Sequence, residues 1–309
     1  MTRVGVVDLG TNSTRLLVAD VEDGAVRELD RRLEITRLGE GVDARRQLLP
    51  AAVARVRNVL TDYRRAIEDQ GAERTLVFAT SAVRDAENGE AFLGEIQWSY
   101  GFETRLLTGH EEALITFRGV AAGRELGEGT LVVDVGGGST ELILGGPDGV
   151  AFHESYDLGC VRLTERFPDD PDGCAAFVRE TLAPVELDVR RAIGVAGTIT
   201  QLATLDLGLE REEPELVHEH QLSTEAIAAL LERLAALPVD EIRRERGMHP
   251  DRAPVIVAGT VVALETLRHF GLDGLEVSEH DIMHGAALAA AALPAPTEGD
   301  APPGAYTCC

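Results

Sequence analysis

Residues 6–18, VVDLGTNSTRLLV, align without a gap on residues 132–144, VVDVGGGSTELIL, at an offset of 126. Each copy is a short apolar run, a turn of small and hydroxyl residues, and a second apolar run, which reads as a β-hairpin. Such a hairpin repeated at that distance points to a duplicated α/β unit, because the elements that follow each copy also run in the same order. One position separates the copies chemically: Arg15 in the first stands where Glu141 stands in the second.

After the first copy the pattern predicts a third strand within VRELDRRLEITRLGEG and a helix over LLPAAVARVRNVLTDYRRAIEDQG stopped by Gly71. The strand TLVFA, a loop carrying Arg84, a helix, the strand FETRLLTG and a helix from His110 complete the first half. From Gly129 the order restarts, with strands TELILGG and VAFHESYDLG and a helix around DGCAAFVRETLAPVELDVRR. A shorter repeat lies inside the second half, where VAGTITQLATL (195–205) matches VAGTVVALETL (257–267), and each is expected as strand, Gly-Thr turn and helix. GLEREEPELVHEHQ reads as an exposed connection, and STEAIAALLERLAALP as an amphipathic helix capped by Ser223. The expected domains are 1–123 and 124–293, with ligands bound at the loops in a cleft between them and a disordered tail over 294–309.

At 309 residues and 44% hydrophobic content the chain can bury two cores. A balance of 29 basic against 53 acidic residues gives a formal charge of −24, which excludes broad electrostatic binding to nucleic acid or to an anionic membrane. A polyanionic ligand must be held locally. Every basic residue is arginine, whose planar fork grips phosphate, although a replacement of lysine along the whole chain is a mark of genome composition rather than of one site. Cys160, Cys174, Cys308 and Cys309 form neither a disulfide framework nor a metal pattern, the start MTRVGVVDLG does not read as a signal peptide, and no apolar run reaches about 18 residues. A cytoplasmic protein is expected.

Glycine loops after strands can turn several amides into one concavity, the arrangement that binds phosphate. Ser13, Thr14, Ser139 and Thr140 can add hydroxyl donors, and Asp8 and Asp134 at the strand ends can give oxygen ligands to a hard cation. Glu141 would add a second carboxylate, while Arg15 would supply positive charge or form a surface pair. Arg84, among Thr80 and Ser81, is a candidate phosphate clamp. Glu111 and Glu112 both fall in the first turn of a helix, where the helix dipole favours carboxylates, and position alone does not choose between them. His280 and His284 are four apart but lack an HExxH pattern, so capping or core roles are expected rather than zinc.

The segments VDLGTNST, ATSAVRDA, LTGHEEALITFRGV, VVDVGGGSTEL, LGCVRLTERF, VAGTITQLATL and VSEHDIMHGAAL together resemble the exopolyphosphatase and guanosine pentaphosphate phosphatase family, within the actin-like superfamily. The resemblance spans about Val4 to Leu293. It implies two ribonuclease H-like domains with an active-site cleft between them, and hydrolysis of terminal phosphate from inorganic polyphosphate. It also implies roles: Glu112 as general base, Asp134 and Glu141 as Mg²⁺ ligands, and a phosphate cradle made of Gly136, Gly137, Gly138, Ser139, Asn12, Ser13 and Arg84, which Asp8 and Gly10 of the first loop join. A monovalent cation such as K⁺ is the further activator to consider, and a homodimer is expected.

The alternative within the family is release of the 5′-phosphate of guanosine pentaphosphate (pppGpp). Beyond it stand a non-hydrolytic sensor of guanosine tetraphosphate (ppGpp) and a superfamily kinase. Longer family members carry further helical domains for which this chain has no room, so a preference for short polyphosphate is expected. DIM at 281–283, where many members read Gly-Leu-Arg, resembles the short actinobacterial-type enzymes.

Overall fold

The computed structural model describes residues 1–294, and the chain divides into two compact units, residues 1–123 with the last helix, and residues 124–281. The first unit starts with the strands β1 (Thr2–Leu9), β2 (Thr14–Glu22) and β3 (Ala25–Glu34). The helices α1 (Val42–Arg45) and α2 (Pro50–Asp69) follow, then β4 (Arg74–Ala79), α3 (Ser81–Asp85), α4 (Gly89–Tyr100), β5 (Glu103–Leu106) and α5 (Gly109–Val120). Its five-stranded sheet has the order β3-β2-β1-β4-β5, antiparallel within the hairpins and parallel from β1 to β4 to β5. β1 is apolar on both faces because both are covered, one by α2 with its neighbours and the other by the last helix.

In the second unit come β6 (Thr130–Val135), β7 (Thr140–Gly146), β8 (Gly149–Tyr156), α6 (Cys160–Arg166), α7 (Pro171–Leu182), β9 (Arg191–Val195) and α8 (Ala196–Asp206). They are followed by α9 (Pro214–Val217), β10 (Gln221–Ser223), α10 (Thr224–Ala235), α11 (Val239–Ile242), α12 (Ile256–His269) and β11 (Gly274–Val277). Its sheet, β10-β11-β9-β6-β7-β8, repeats the first: β8, β7, β6, β9 and β11 take the places of β3, β2, β1, β4 and β5, and β10 is an added edge strand. The expected duplication of an α/β unit is therefore what the chain forms. Among the described residues no helix is long and apolar enough to cross a membrane.

Several elements differ from the sequence reading. The last helix, α13 (Ile282–Ala291), belongs to the first unit, packed on α5 and β1, although the pattern assigned 124–293 to the second. Arg84 lies in the short helix α3 rather than in a loop, and the helix expected around 172–191 ends at Leu182, two residues before Pro184. The first VAGT segment does run from strand through turn to helix, with Ala196 at φ 69°. The second lies inside α12, where a Cβ on Gly259 would stand 2.7 Å from the Thr198 side chain, so this glycine serves helix packing. The connection before Ser223 contains α9 and β10, and Ser223 caps α10 by accepting from the Ala226 amide. Of the expected tail, Pro294 is exposed and the remainder lies outside the described residues.

The docking of α13 onto α5 depends on Gly285, whose added Cβ would stand 1.8 Å from the Ile115 carbonyl oxygen. Gly285→Ala should therefore force backbone apart and cost about 1–3 kcal/mol, read as a lowered midpoint in urea unfolding. The same change at Gly94, an exposed glycine in α4 with nothing within 4 Å of its Cβ, should stabilise slightly.

Candidate active site

Both hairpins carry the same register, and their chemistry follows from it. In the first unit Asp8 stands opposite Arg15, and Arg15 donates to Asp8 Oδ2 from Nε at 2.9 Å and from Nη2 at 2.7 Å. Arg15 is thus the partner of a carboxylate on its own hairpin, and Asp8, expected as an oxygen ligand, is engaged with it. In the second unit the equivalent pair is Asp134 opposite Glu141, 7% and 1% exposed. Like charges facing each other on adjacent strands oppose sheet formation, and burial adds to the cost. Glu141 Oε1 accepts from the Ser155 hydroxyl at 2.6 Å, across the β7–β8 register.

The glycine loops share a backbone device. Gly10 N donates to Ser13 O and Gly136 N to Ser139 O, both at 3.0 Å, so these two glycines close their turns rather than offer amides outward. Later segments capture the loop carbonyls. Thr11 O accepts from Gly39 N and Asn12 O from Arg37 N; in the second loop Gly136 O accepts from Cys160 N, Gly137 O from Val161 N, and Gly138 O from Arg162 Nε. In a planar trans peptide the carbonyl and the next N–H point opposite ways. The N–H groups of Asn12 and Ser13, and those of Gly137, Gly138 and Ser139, are therefore turned away from the segments that hold the carbonyls. Backbone amides left on the side away from those segments are the kind of donor that suits an anion. Gly159 makes the second arrangement possible, since a Cβ there would stand 2.2 Å from Gly137 O.

The two acids of α5 part company. Thr108 and Glu111 form a capping box, in which Glu111 Oε2 accepts from Thr108 N at 2.9 Å and from its hydroxyl at 2.8 Å. The Thr108 amide, with the hydroxyl, holds the Glu111 carboxyl below the usual carboxylate range. Glu112 is 7% exposed and its Oε2 accepts from Arg84 Nη1 at 3.1 Å; the same nitrogen donates to Leu107 O at 2.8 Å. The structure thus pairs Arg84 with Glu112 in the first unit and Asp134 with Glu141 in the second.

Sequence reasoning passed over Thr108, Ser155, Gly159 and Arg162. Thr108 was legible, because Thr-Gly-His-Glu is a capping-box pattern that commits Glu111 and leaves its neighbour available. Ser155 depends on the β7–β8 register, which no motif marks. The two histidines do not act together: His284 is buried in α13 with Nε2 3.1 Å from Glu28 Oε1, whereas His280 lies with its ring centroid 4.7 Å from that of His218. Cys160 is a buried thiol whose pKa burial pushes up to about 11, a neutral packing residue at pH 7.

Among the described residues no group of three or more His, Cys, Asp and Glu side chains is placed to hold a metal. Two facing carboxylates are nevertheless a fitting donor set for Mg²⁺, which is commonly held by one or two carboxylates and completed by water and substrate oxygens.

Residues 17–291 match the model of the Ppx/GppA phosphatase family. Exopolyphosphatase 2 of Mycobacterium tuberculosis is 39% identical over 319 residues, covering 94% of this chain and 99% of its own. The crystal structure of the Aquifex aeolicus Ppx/GppA family member superposes with a TM-score of 0.80 at 31% identity, covering 93% of this chain and 97% of that one. An exopolyphosphatase from Cytophaga hutchinsonii superposes with a TM-score of 0.86 at 25% identity, over 94% and 98%.

Removing the cap separates the two acids of α5. Thr108→Ala should lower stability by about 1 kcal/mol at neutral pH while phosphate release changes little. Because the folded-state pKa of Glu111 is depressed, its stabilisation is complete above the unfolded value of about 4.3 and is lost as pH falls through the folded value. The acid limb of the stability curve should therefore be shallower in Thr108→Ala, as urea unfolding from pH 7 down to pH 3 would read.

Proposed function

The chain belongs to the Ppx/GppA phosphatase family, and from that premise we propose that it is an exopolyphosphatase releasing terminal orthophosphate from inorganic polyphosphate. One observation carries the reading: in the second unit the buried Asp134 and Glu141 face each other beside a loop whose amides at 137, 138 and 139 turn away from α6. Anion donors next to paired carboxylates are what a phosphate and its counter-cation require.

Glu112 takes the role of general base. As a water oxygen bonds to the terminal phosphorus, Glu112 accepts the water proton, the P–O bond to the next phosphate breaks, and the electron pair leaves with the shortened chain. Arg84 steers this carboxylate through Nη1, and its remaining guanidinium donors are available to phosphate oxygens. The outward amides of Asn12, Ser13, Gly137, Gly138 and Ser139 hold phosphate oxygens, while Gly10 and Gly136 shape the turns. Asp134 and Glu141 would hold a divalent cation such as Mg²⁺, which when bound supplies positive charge against that developing on the phosphate. The location in this reading is cytoplasmic, in keeping with free thiols at Cys160 and Cys174.

Glu112→Gln, nearly isosteric and neutral, should lower turnover by about 10² to 10⁴-fold while polyphosphate binding persists. Phosphate release is compared on tripolyphosphate, longer polyphosphate, guanosine pentaphosphate and ATP, each in Mg²⁺ and in EDTA. Release from guanosine pentaphosphate alone would overturn the substrate assignment, and full activity of Glu112→Gln would overturn the base.

Asp134→Asn and Glu141→Gln each remove one anionic oxygen ligand. Both should raise the Mg²⁺ concentration for half-maximal activity and weaken Mn²⁺ binding measured directly by electron paramagnetic resonance. Unchanged Mn²⁺ affinity in both variants would remove the metal from this hairpin.

A further inference from the structure

We propose that Arg162 is a positioning residue for phosphate, acting through the Gly138–Ser139 peptide; this rests on the reading of the second glycine loop as a phosphate cradle. Arg162 is 8% exposed, an unusual place for a guanidinium, and Nε donates to Gly138 O at 2.8 Å. Its ion pair with Asp157 is long, 3.5 Å, and that carboxylate is 79% exposed, so this pair is a weak one. The Nε of the side chain is committed to a backbone carbonyl.

The first repeat shows what that hydrogen bond does. Position 138 corresponds to position 12, and the Asn12 carbonyl is held by a main-chain amide, that of Arg37, at 2.8 Å. A neutral donor therefore suffices to orient the loop. In the second repeat the donor is a cation. Pulling electron density toward the carbonyl oxygen makes the N–H of the same peptide, that of Ser139, a stronger donor. The positive charge is thus brought to bear, through the peptide, on an anion at the amide side. The Gly136 and Gly137 carbonyls need no such residue, since the amides at 160 and 161 hold them.

The test uses the full-length enzyme with tripolyphosphate and Mg²⁺. Arg162→Gln, which keeps a donor and loses the charge, should raise KM by about tenfold, with kcat within about twofold and the Mg²⁺ requirement unchanged. Arg162→Lys, which restores the charge without the fork, should recover part of the loss. Tripolyphosphate affinity, measured by calorimetry in the Glu112→Gln background, should fall in parallel. A structural role alone would lower kcat through loss of folded enzyme and leave KM and the affinity in place, and that result overturns the proposal. Should Arg162→Gln not fold, Arg162→Lys decides: a KM raised severalfold supports the proposal and a wild-type KM overturns it. Gly159→Ala separates the inference from the reading beneath it, because its Cβ would displace the loop itself. If Gly159→Ala raises KM and Arg162→Gln does not, only the role of Arg162 is lost; if neither does, the loop is not the phosphate cradle.

Discussion

The register of an antiparallel hairpin decides the chemistry of both units. It places the last polar residue of the first strand directly across from the second residue of the next, at Asp8 and Arg15 in one unit and at Asp134 and Glu141 in the other. Opposite charges at this pair neutralise each other inside the protein, and like charges there carry a cost. One difference between the duplicated copies therefore separates a hairpin whose pair is an ion pair from one whose pair is two carboxylates. The sheet around it does not change, because the backbone pairing is the same in both.

Orientation of the loops is the second constraint, and the two units meet it differently. A glycine loop can present its amides only if its carbonyls are satisfied on the other side. The first unit does this with main-chain amides at 37 and 39, which arrive after the third strand. The second uses the start of α6, which lies so close that residue 159 has no room for a side chain. A helix whose first residues grip the loop also transmits any shift of α6 to the amides. That coupling explains why a buried arginine on α6 belongs to the chemistry of the loop although it is 24 residues away in the chain.

Much of this architecture was legible because the repeat supplied it: once two hairpins align at a fixed offset, equal strand orders follow, and the boundary near Gly123 falls between the copies. The return of α13 to the first unit was not legible. Its residues are apolar nearly all round, so the pattern states burial and not the partner, and the partner, α5, lies more than 160 positions earlier. The two VAGT segments share their letters and differ in what precedes them: the strand β9 leads into the first, Pro254 and a run of turns into the second. Local identity could not carry that difference. At the candidate site, the paired carboxylates were readable from spacing, whereas the resemblance and not the spacing singled out Glu112, and the capping box that engages Glu111 was legible but passed over.

An acidic enzyme acting on a polyanion poses an electrostatic question that the site answers by range. The Debye length is about 8 Å at physiological ionic strength, so most of the charge of −24 is screened from a substrate at any one point. In the proposed reading fixed donors act inside that distance, namely loop amides whose carbonyls are already held. Such donors cost little reorganisation when phosphate arrives, because the protein has oriented them beforehand. A diffuse basic surface would attract every polyanion, whereas a few oriented donors select by geometry.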